Sequence, residues 1–370
     1  MKKDVFINKM IDAVYIHVPF CQNICSYCDF CKMFYNESLV DQYLRELEKE
    51  VKLKYKGETI RTLYIGGGTP SCLNSTQLQK LFNITHLFNL QDDYEFTFEC
   101  NIENINDDIL KSLKSNRVNR LSIGVQTFQD KFLKYLNRKH NKILALKNLK
   151  KAKEYFDNIN VDLMYAFKNQ SLKDVEEDLD ILIDLNIPHI STYSLIIEEH
   201  TQLFINHETS IDEDLDYQMY QLICQKLEAN NFFHYEISNF SLYGYQSQHN
   251  LVYWNNLNYY GFGLGASGYI ENVRYDNTKS INSYLKGNYI YYTHQLDLQE
   301  MIENEFILGL RKISGINKDT FFKKYHKDIN DYKNVKKMLT NNKLVDDGKN
   351  IYINSNFLYL SNDILVEFLN

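Results

Sequence analysis

The stretch Cys21-Gln22-Asn23-Ile24-Cys25-Ser26-Tyr27-Cys28 limits what this chain can fold into more than any other. Three thiols at C-x3-C-x2-C spacing must be gathered on one loop and turned to a common point. Thiolates are soft, charged donors and suit iron–sulfur clusters. Three of them can hold three irons of a [4Fe–4S] cubane and leave the fourth iron without a protein ligand. A structural cluster normally takes four cysteines, so a set of three implies an open position where a small molecule binds. The alternative is a zinc knuckle, which wants four closed ligands. Cys31, three residues after Cys28, could complete such a set.

Other features bound the class. A chain of 370 residues with 44% hydrophobic content can bury one large domain and a small one. No run of about 18 apolar residues offers a transmembrane helix. The opening Met1-Lys2-Lys3-Asp4 lacks the apolar stretch of a secretory signal. Seven cysteines, an odd number partly clustered, do not read as a disulfide framework. A reducing cytoplasm is expected, and a cluster needs reduced thiols. A net charge of −7 argues against a nucleic-acid partner.

Along the chain, strand signals at 13–18, 61–65, 94–100, 119–124, 161–164 and 189–195 alternate with helical ones. Apolar residues recur at helical spacing in 39–51, from Ser75 (a candidate N-cap), after Asn106, in 142–156, around 175–182 and in 212–229. Such alternation means an α/β fold with a parallel sheet and helices outside. Six units are too few for an eight-fold barrel, so an open partial (β/α)6 barrel is expected. Residues 1–299 are read as this barrel. Residues 300–370 are read as a small C-terminal α+β domain of winged-helix type, with helices at 301–311, 317–325 and 362–369 and strands at 341–346 and 350–353.

Chemistry in such barrels sits at the C-terminal ends of the strands. The cysteine loop falls there, after the first strand. So does Gly66-Gly67-Gly68-Thr69-Pro70, where successive glycines let backbone approach a ligand. Glu99 ends the third strand and could accept from a ribose diol or an amine. Gln126, Arg138 and Asp162 offer an amide, a carboxylate-binding fork and an acceptor. Tyr15 and Tyr27 are candidate apolar walls. Farther on, His249-Asn250-Leu251-Val252-Tyr253-Trp254 would place His249 and Tyr253 on one helical face. A neutral imidazole beside an aromatic wall can ligate haem iron; a histidine bonded within the fold is the other reading. Gly261-Phe262-Gly263-Leu264-Gly265-Ala266 resembles a phosphate loop without the full pattern.

These stretches together resemble the oxygen-independent coproporphyrinogen III oxidase-like family of radical S-adenosylmethionine (SAM) proteins. The resemblance runs through residues 15–30, 66–70, 122–128 (S-I-G-V-Q-T-F), 136–140 (L-N-R-K-H), 235–240 (Y-E-I-S-N-F) and 249–254. The H-N-x-x-Y-W motif and the short segment before Cys21 resemble the family's haem chaperone branch. The oxidases carry an additional N-terminal region and a fourth cysteine two residues after the third; here Phe30 holds that place and Cys31 follows. After the Asp162 strand the family usually shows Gly-Leu-Pro, where this chain has Ala166-Phe167-Lys168.

The resemblance implies a radical SAM barrel whose Cys21, Cys25 and Cys28 ligate one [4Fe–4S] cluster. It implies SAM contacts at Tyr15, Tyr27, Gly68, Thr69, Pro70, Glu99, Gln126, Arg138 and Asp162, and haem binding at His249. The expected function is that of a cytoplasmic haem chaperone, with no catalytic residue assigned. It would pass haem to an apo-haemoprotein such as a membrane respiratory cytochrome, reaching the membrane through that partner, and could act as a homodimer. The enzyme alternative is radical decarboxylation of coproporphyrinogen III.

Overall fold

The computed structural model describes residues 10–369, so the reading of Met1 to Asp4 falls outside the described residues. The alternating signals become strands β1 (Ile11–Val18), β2 (Thr59–Gly67), β3 (Asn89–Asn101), β4 (Arg120–Gln126), β5 (Asn158–Tyr165) and β6 (His189–Ser194). They lie side by side in chain order, each parallel to the next. Parallel neighbours need a long crossover, and helices supply it: α1 (Glu37–Lys54), α2 (Ser75–Thr85), α3 (Asp107–Ser115), α4 (Lys142–Tyr155) and α5 (Leu172–Asp184). The strands' outward residues, among them Leu63, Ile65, Phe96, Phe98, Leu121 and Val161, pack in one core with Leu47, Leu81, Leu110, Leu149 and Leu179 of the helices. The inward positions of the same strands are largely polar, and they build the site.

Side chains of Asn36, Asn74, Asn106, Asn141 and Ser171 cap these five helices. The cap of α2 is Asn74 rather than Ser75. Asn74 Oδ1 accepts from the Gln77 amide at 2.9 Å and Gln77 Oε1 accepts from the Asn74 amide at 3.3 Å, a reciprocal box that Ser75 cannot make.

The sheet is larger than the sequence reading. α6 (Glu213–Ala229) is followed by β7 (Phe233–Glu236) and β8 (Asn239–Ser241), which add antiparallel strands beyond β6. β9 (Asn258–Phe262) then returns to the other side of β1 as a seventh parallel strand, with Val14 opposite Tyr260. β10 (Ser267–Ile270), β11 (Val273–Asn277) and β12 (Ile290–Gln295) continue antiparallel from it. The order is β12-β11-β10-β9-β1-β2-β3-β4-β5-β6-β8-β7, twelve strands among the described residues. The glycine-rich 261–266 stretch lies at the end of β9 and wraps a carboxylate of the protein itself. Buried Glu50 accepts from Gly263 N at 2.9 Å, Tyr284 OH at 2.6 Å and Asn277 Nδ2 at 2.7 Å.

The C-terminal part has its own core, built from Ile302, Phe306, Leu310, Phe321, Val335 and Ile351. Helices Leu298–Gly309, Lys318–Tyr325, Lys333–Thr340 and Ser361–Val366 pack with a three-stranded antiparallel sheet. Among the described residues no helix is long and apolar enough to cross a membrane.

Candidate functional site

After β1 the chain runs through Pro19 into a short parallel pairing of Phe20–Cys21 with Met33–Phe34. Met33 N donates to Pro19 O at 2.7 Å and Tyr35 N to Cys21 O at 2.9 Å, so both ends of the cysteine loop are tied together. Ser26 N reaches Leu136 O at 3.1 Å, and Asn137 Nδ2 reaches Ile24 O at 2.9 Å. The loop is thereby fixed over the C-terminal ends of the strands. Cys21, Cys25 and Cys28 all line one cavity of about 390 Å³.

The three thiols suit a cluster. Burial pushes the Cys21 thiol up and the Cys28 thiol to about 11, so both are protonated unless a metal centre claims them. Arg138 Nη1 donates to Cys25 Sγ at 3.4 Å and Thr69 Oγ1 to Cys21 Sγ at 3.5 Å, contacts that favour sulfur carrying negative charge. Cys31 is not with them. Its side chain lies against Gly265, where a Cβ would come within 2.9 Å of its Sγ, and its carbonyl accepts from His17 Nε2 at 2.7 Å. Among the described residues no three His, Cys, Asp or Glu side chains converge as a single metal ion requires. A cubane, with its irons at separate corners, asks for thiols set farther apart.

The triple glycine serves the protein's own side chains. A Cβ at Gly66 would fall 2.5 Å from the Glu99 carboxylate, and one at Gly67, where φ is +114°, would fall 2.7 Å from the His17 ring. The space so left lets Glu99 accept from Gly67 N at 3.0 Å and from Tyr64 OH at 2.7 Å. Gly68, Thr69 and Pro70 line the cavity beside the cysteines. Burial, only partly offset by those hydrogen bonds, pushes the Glu99 carboxyl to about 7. Asp162, accepting from Asn160 Nδ2 at 2.8 Å, is also raised by burial.

Gln126 closes β4 at a bulge in the pairing with β5, and its φ of +73° is the left-handed conformation that non-glycine residues seldom take. The turn behind it is anchored by Asp178, which accepts from Thr127 Oγ1 at 2.6 Å and Phe128 N at 3.0 Å. Arg138 is 8% exposed and bridges three elements: Nη2 donates to Gly124 O at 2.6 Å, and Nη1 to Asn101 Oδ1 at 3.2 Å as well as to Cys25. Among the described residues its Nε has no hydrogen-bond partner, while Glu103 Oε2 lies 3.6 Å from its Nη2 and 3.5 Å from Nδ1 of buried His140. Gln126, Arg138, Asp162, Glu99 and Tyr27 all face the main cavity. Tyr15 instead lines an adjoining cavity of about 200 Å³ and bonds His17 Nδ1 at 2.9 Å.

The sequence reading missed Tyr64, Asn101, Arg120, Ser122, Asn160 and Tyr193, which line the main cavity too. A signal was there: polar residues alternate along β4 (Arg120, Ser122, Gln126) and β5 (Asn158, Asn160, Asp162), marking one face of each strand as polar and inward.

His249, in the short helix Gln248–Trp254, lines the same adjoining cavity as Tyr15, together with Tyr64, Gly67 and Glu99. It is 1% exposed. Nδ1 bonds Thr62 Oγ1 at 2.9 Å, Nε2 bonds Tyr253 OH at 2.8 Å, and its amide donates to Glu95 Oε1 at 3.0 Å. Burial, with Arg120 and Arg61 nearby, lowers its imidazole to about 3, so it is neutral. As folded here, neither ring nitrogen is free.

Comparisons with known proteins bear on this site. The family model described as the radical SAM superfamily matches residues 15–182, the span from Tyr15 through α5. A protein of Lactococcus lactis named heme chaperone HemW is 36% identical over 370 residues, covering 97% of each chain. One of Bacillus subtilis with the same name is 37% identical, over 96% of this chain and 99% of that one. Among solved structures, the coproporphyrinogen III oxidase HemN of Escherichia coli, described as a radical SAM enzyme, superposes with a TM-score of 0.86. It covers 98% of this chain and 91% of its own at 21% identity, a likeness of fold.

Proposed function

This chain belongs to the radical SAM superfamily and, within it, to the HemW family, and on that premise we propose that it binds haem and hands it to an apo-haemoprotein. The observation that carries the reading is the end-to-end match to relatives named heme chaperones, at 36% and 37% identity. The geometry supports it. Phe30 and Ile196, each 64% exposed, stand with Ile24 around a cavity that also holds Arg120, Ser122, Asn160 and Asp162. Apolar walls with a few polar groups among them suit a flat amphipathic ligand.

In this reading Cys21, Cys25 and Cys28 hold a [4Fe–4S] cluster. Gly68, Thr69, Pro70, Glu99, Gln126, Arg138 and Asp162 hold SAM, with Tyr27 and Tyr15 as walls. When bound, the cluster supplies one-electron chemistry and an iron open to SAM's amino and carboxylate groups. Arg138 holds the cysteine loop, β4 and Asn101 in one geometry and offers an unpaired N–H. Glu99, half protonated near neutral pH, can accept from or donate to a ligand hydroxyl. His249 reaches a haem iron only if Nε2 gives up Tyr253.

The acceptor is an apo-haemoprotein, a membrane respiratory cytochrome being the expected one, and the working form is a cytoplasmic homodimer. The test incubates the cluster-reconstituted protein with haem, and separately with coproporphyrinogen III, SAM and a reductant. Haem should bind at a fixed stoichiometry and move to an added apo-cytochrome, with no carbon dioxide released from coproporphyrinogen III. Decarboxylation without stable haem binding would move the protein to the oxidase reading.

A further inference from the structure

Arg120 is the first residue of β4, and its guanidinium lines the main cavity while the whole residue is only 2% exposed. Gln126, at the other end of the same strand, lies about 20 Å away at about 3.3 Å per residue, so Arg120 rises from well below the cysteine loop. A guanidinium carries five N–H donors. Here one protein acceptor answers them: Nη1 donates to Thr97 Oγ1 at a long 3.4 Å, while Nε has none. Among the described residues Arg120 enters no ion pair. The two buried carboxylates near enough to feel its charge are engaged elsewhere, Glu99 with Tyr64 and Gly67, Asp162 with Asn160.

The groups around it point the same way. Asn160 is saturated: Nδ2 donates to Ser122 Oγ and to Asp162, each at 2.8 Å, and Oδ1 accepts from Ser191 Oγ at 3.0 Å and bonds His189 Nδ1 at 2.6 Å. Ser122 thus accepts from Asn160 and keeps its own O–H to give. A guanidinium fork and a hydroxyl donor, both facing the cavity, form a site for a carboxylate. A buried guanidinium with no direct ion pair is costly, and an anionic ligand in contact with it lowers that cost.

We propose that Arg120 and Ser122 form a carboxylate pocket deep in the barrel, and that it takes a propionate arm of a tetrapyrrole. The choice of ligand rests on the haem reading above. Apolar Phe30 and Ile196 at the mouth and a cationic donor set below match a molecule with an apolar plane and anionic arms.

The test titrates the cluster-reconstituted full chain with haem and with haem dimethyl ester, whose propionates are esterified, following the visible absorbance. The wild-type protein should prefer haem over the ester by about tenfold or more. Arg120→Met should abolish the preference by weakening haem and leaving the ester unchanged. Arg120→Lys should keep part of it, and Ser122→Ala should lose a smaller part. SAM affinity should stay within about twofold throughout. Equal affinity for haem and ester in the wild type, or unchanged haem affinity in a folded Arg120→Met, overturns the propionate assignment. Should Arg120→Met fail to fold, the wild-type comparison and Arg120→Lys decide it.

A wild type that binds neither haem nor ester refutes the haem reading, and a second measurement then judges the pocket alone. Sodium propionate, against sodium chloride at equal ionic strength, should raise the melting temperature of the wild type, and by less in Arg120→Lys. No difference between the salts overturns the pocket.

Discussion

In the adjoining cavity, His249 gives both ring nitrogens to Thr62 and Tyr253, and Glu95 takes the free amides of Gln248 and His249. In the main cavity, the Nε atoms of Arg138 and Arg120 are buried without a hydrogen-bond partner among the described residues. Both regions are polar and shielded from water. A satisfied buried hydrogen bond adds about 1 kcal/mol net, whereas an unsatisfied buried donor costs about 1–3 kcal/mol. The ring of His249 is therefore fully satisfied by the protein itself. The main cavity holds groups whose partners have to arrive from outside. Burial and polarity alone do not separate a structural histidine from a binding residue; an empty hydrogen-bond position that also faces a cavity does.

The largest effect expected in the main cavity is total. Anaerobic reconstitution should load about four irons per chain. Alanine at Cys21, Cys25 or Cys28 should abolish loading, and alanine at Cys31, Cys72, Cys100 or Cys224 should leave it intact. Iron and sulfide analysis of the purified variants reads the result. Loss of the cluster in Cys31→Ala would break the three-thiol assignment.

The His249 site should fail by stability. His249→Ala strips Thr62 and Tyr253 of their partner in the interior and leaves a void, which should cost about 3 kcal/mol in urea unfolding. Cluster content should not change. A variant of wild-type stability whose haem spectrum has shifted would instead make His249 a ligand and erase the contrast.

The smallest expected effect lies in the slopes of stability against pH for the protein without SAM, and Glu99 and His249 should differ in sign. Glu99 titrates near 7 in the fold against an ordinary 4.5, so the folded state holds the extra proton in that window. Its contribution is present below about pH 4.5 and is lost as pH rises through 7; Glu99→Gln should flatten that decline by about 2 kcal/mol. His249 titrates near 3 against 6.5, so its contribution is present above about pH 6.5 and is lost as pH falls towards 3. Unfolding curves from pH 4 to 8 for wild type and Glu99→Gln read both slopes. Parallel curves for the two proteins would mean that water reaches Glu99 freely.

Much of this was legible because alternation and helical spacing are local. Strands β1 to β6 fall where apolar runs and turn residues marked them, and Asn106 caps α3 as its spacing before an apolar face implied. Where two good caps adjoin, as at Asn74 and Ser75, only the bond back from Gln77 decides. The outer strands were invisible for another reason. β9 contains a glycine and earns its place by pairing with β1, more than two hundred residues earlier in the chain. Long range also hid the state of His249, whose partner Thr62 is 187 residues away. The spacing left Cys31 open as a fourth metal ligand, and only the approach of Gly265 and His17 shows it turned aside. Arg120 is the opposite case. Its place in an alternating polar strand was readable, but the absence of its partners was not.

The helix that carries His249 ends at Trp254, the only tryptophan of a chain with 29 tyrosines, and the Arg311 guanidinium lies 4.8 Å from its ring centroid. The next residues, Asn255 and Asn256, bond Lys312, Lys324 and Glu305 of the C-terminal part. The protein therefore contains a single indole, which absorbs and emits at longer wavelength than the tyrosines, and it sits on the joint between the two cores. Its emission offers an unlabelled optical gauge of that joint, since parting Arg311 from the indole would alter intensity and wavelength. A handover complex that pries the two parts open would announce itself in tryptophan fluorescence before any dye is attached.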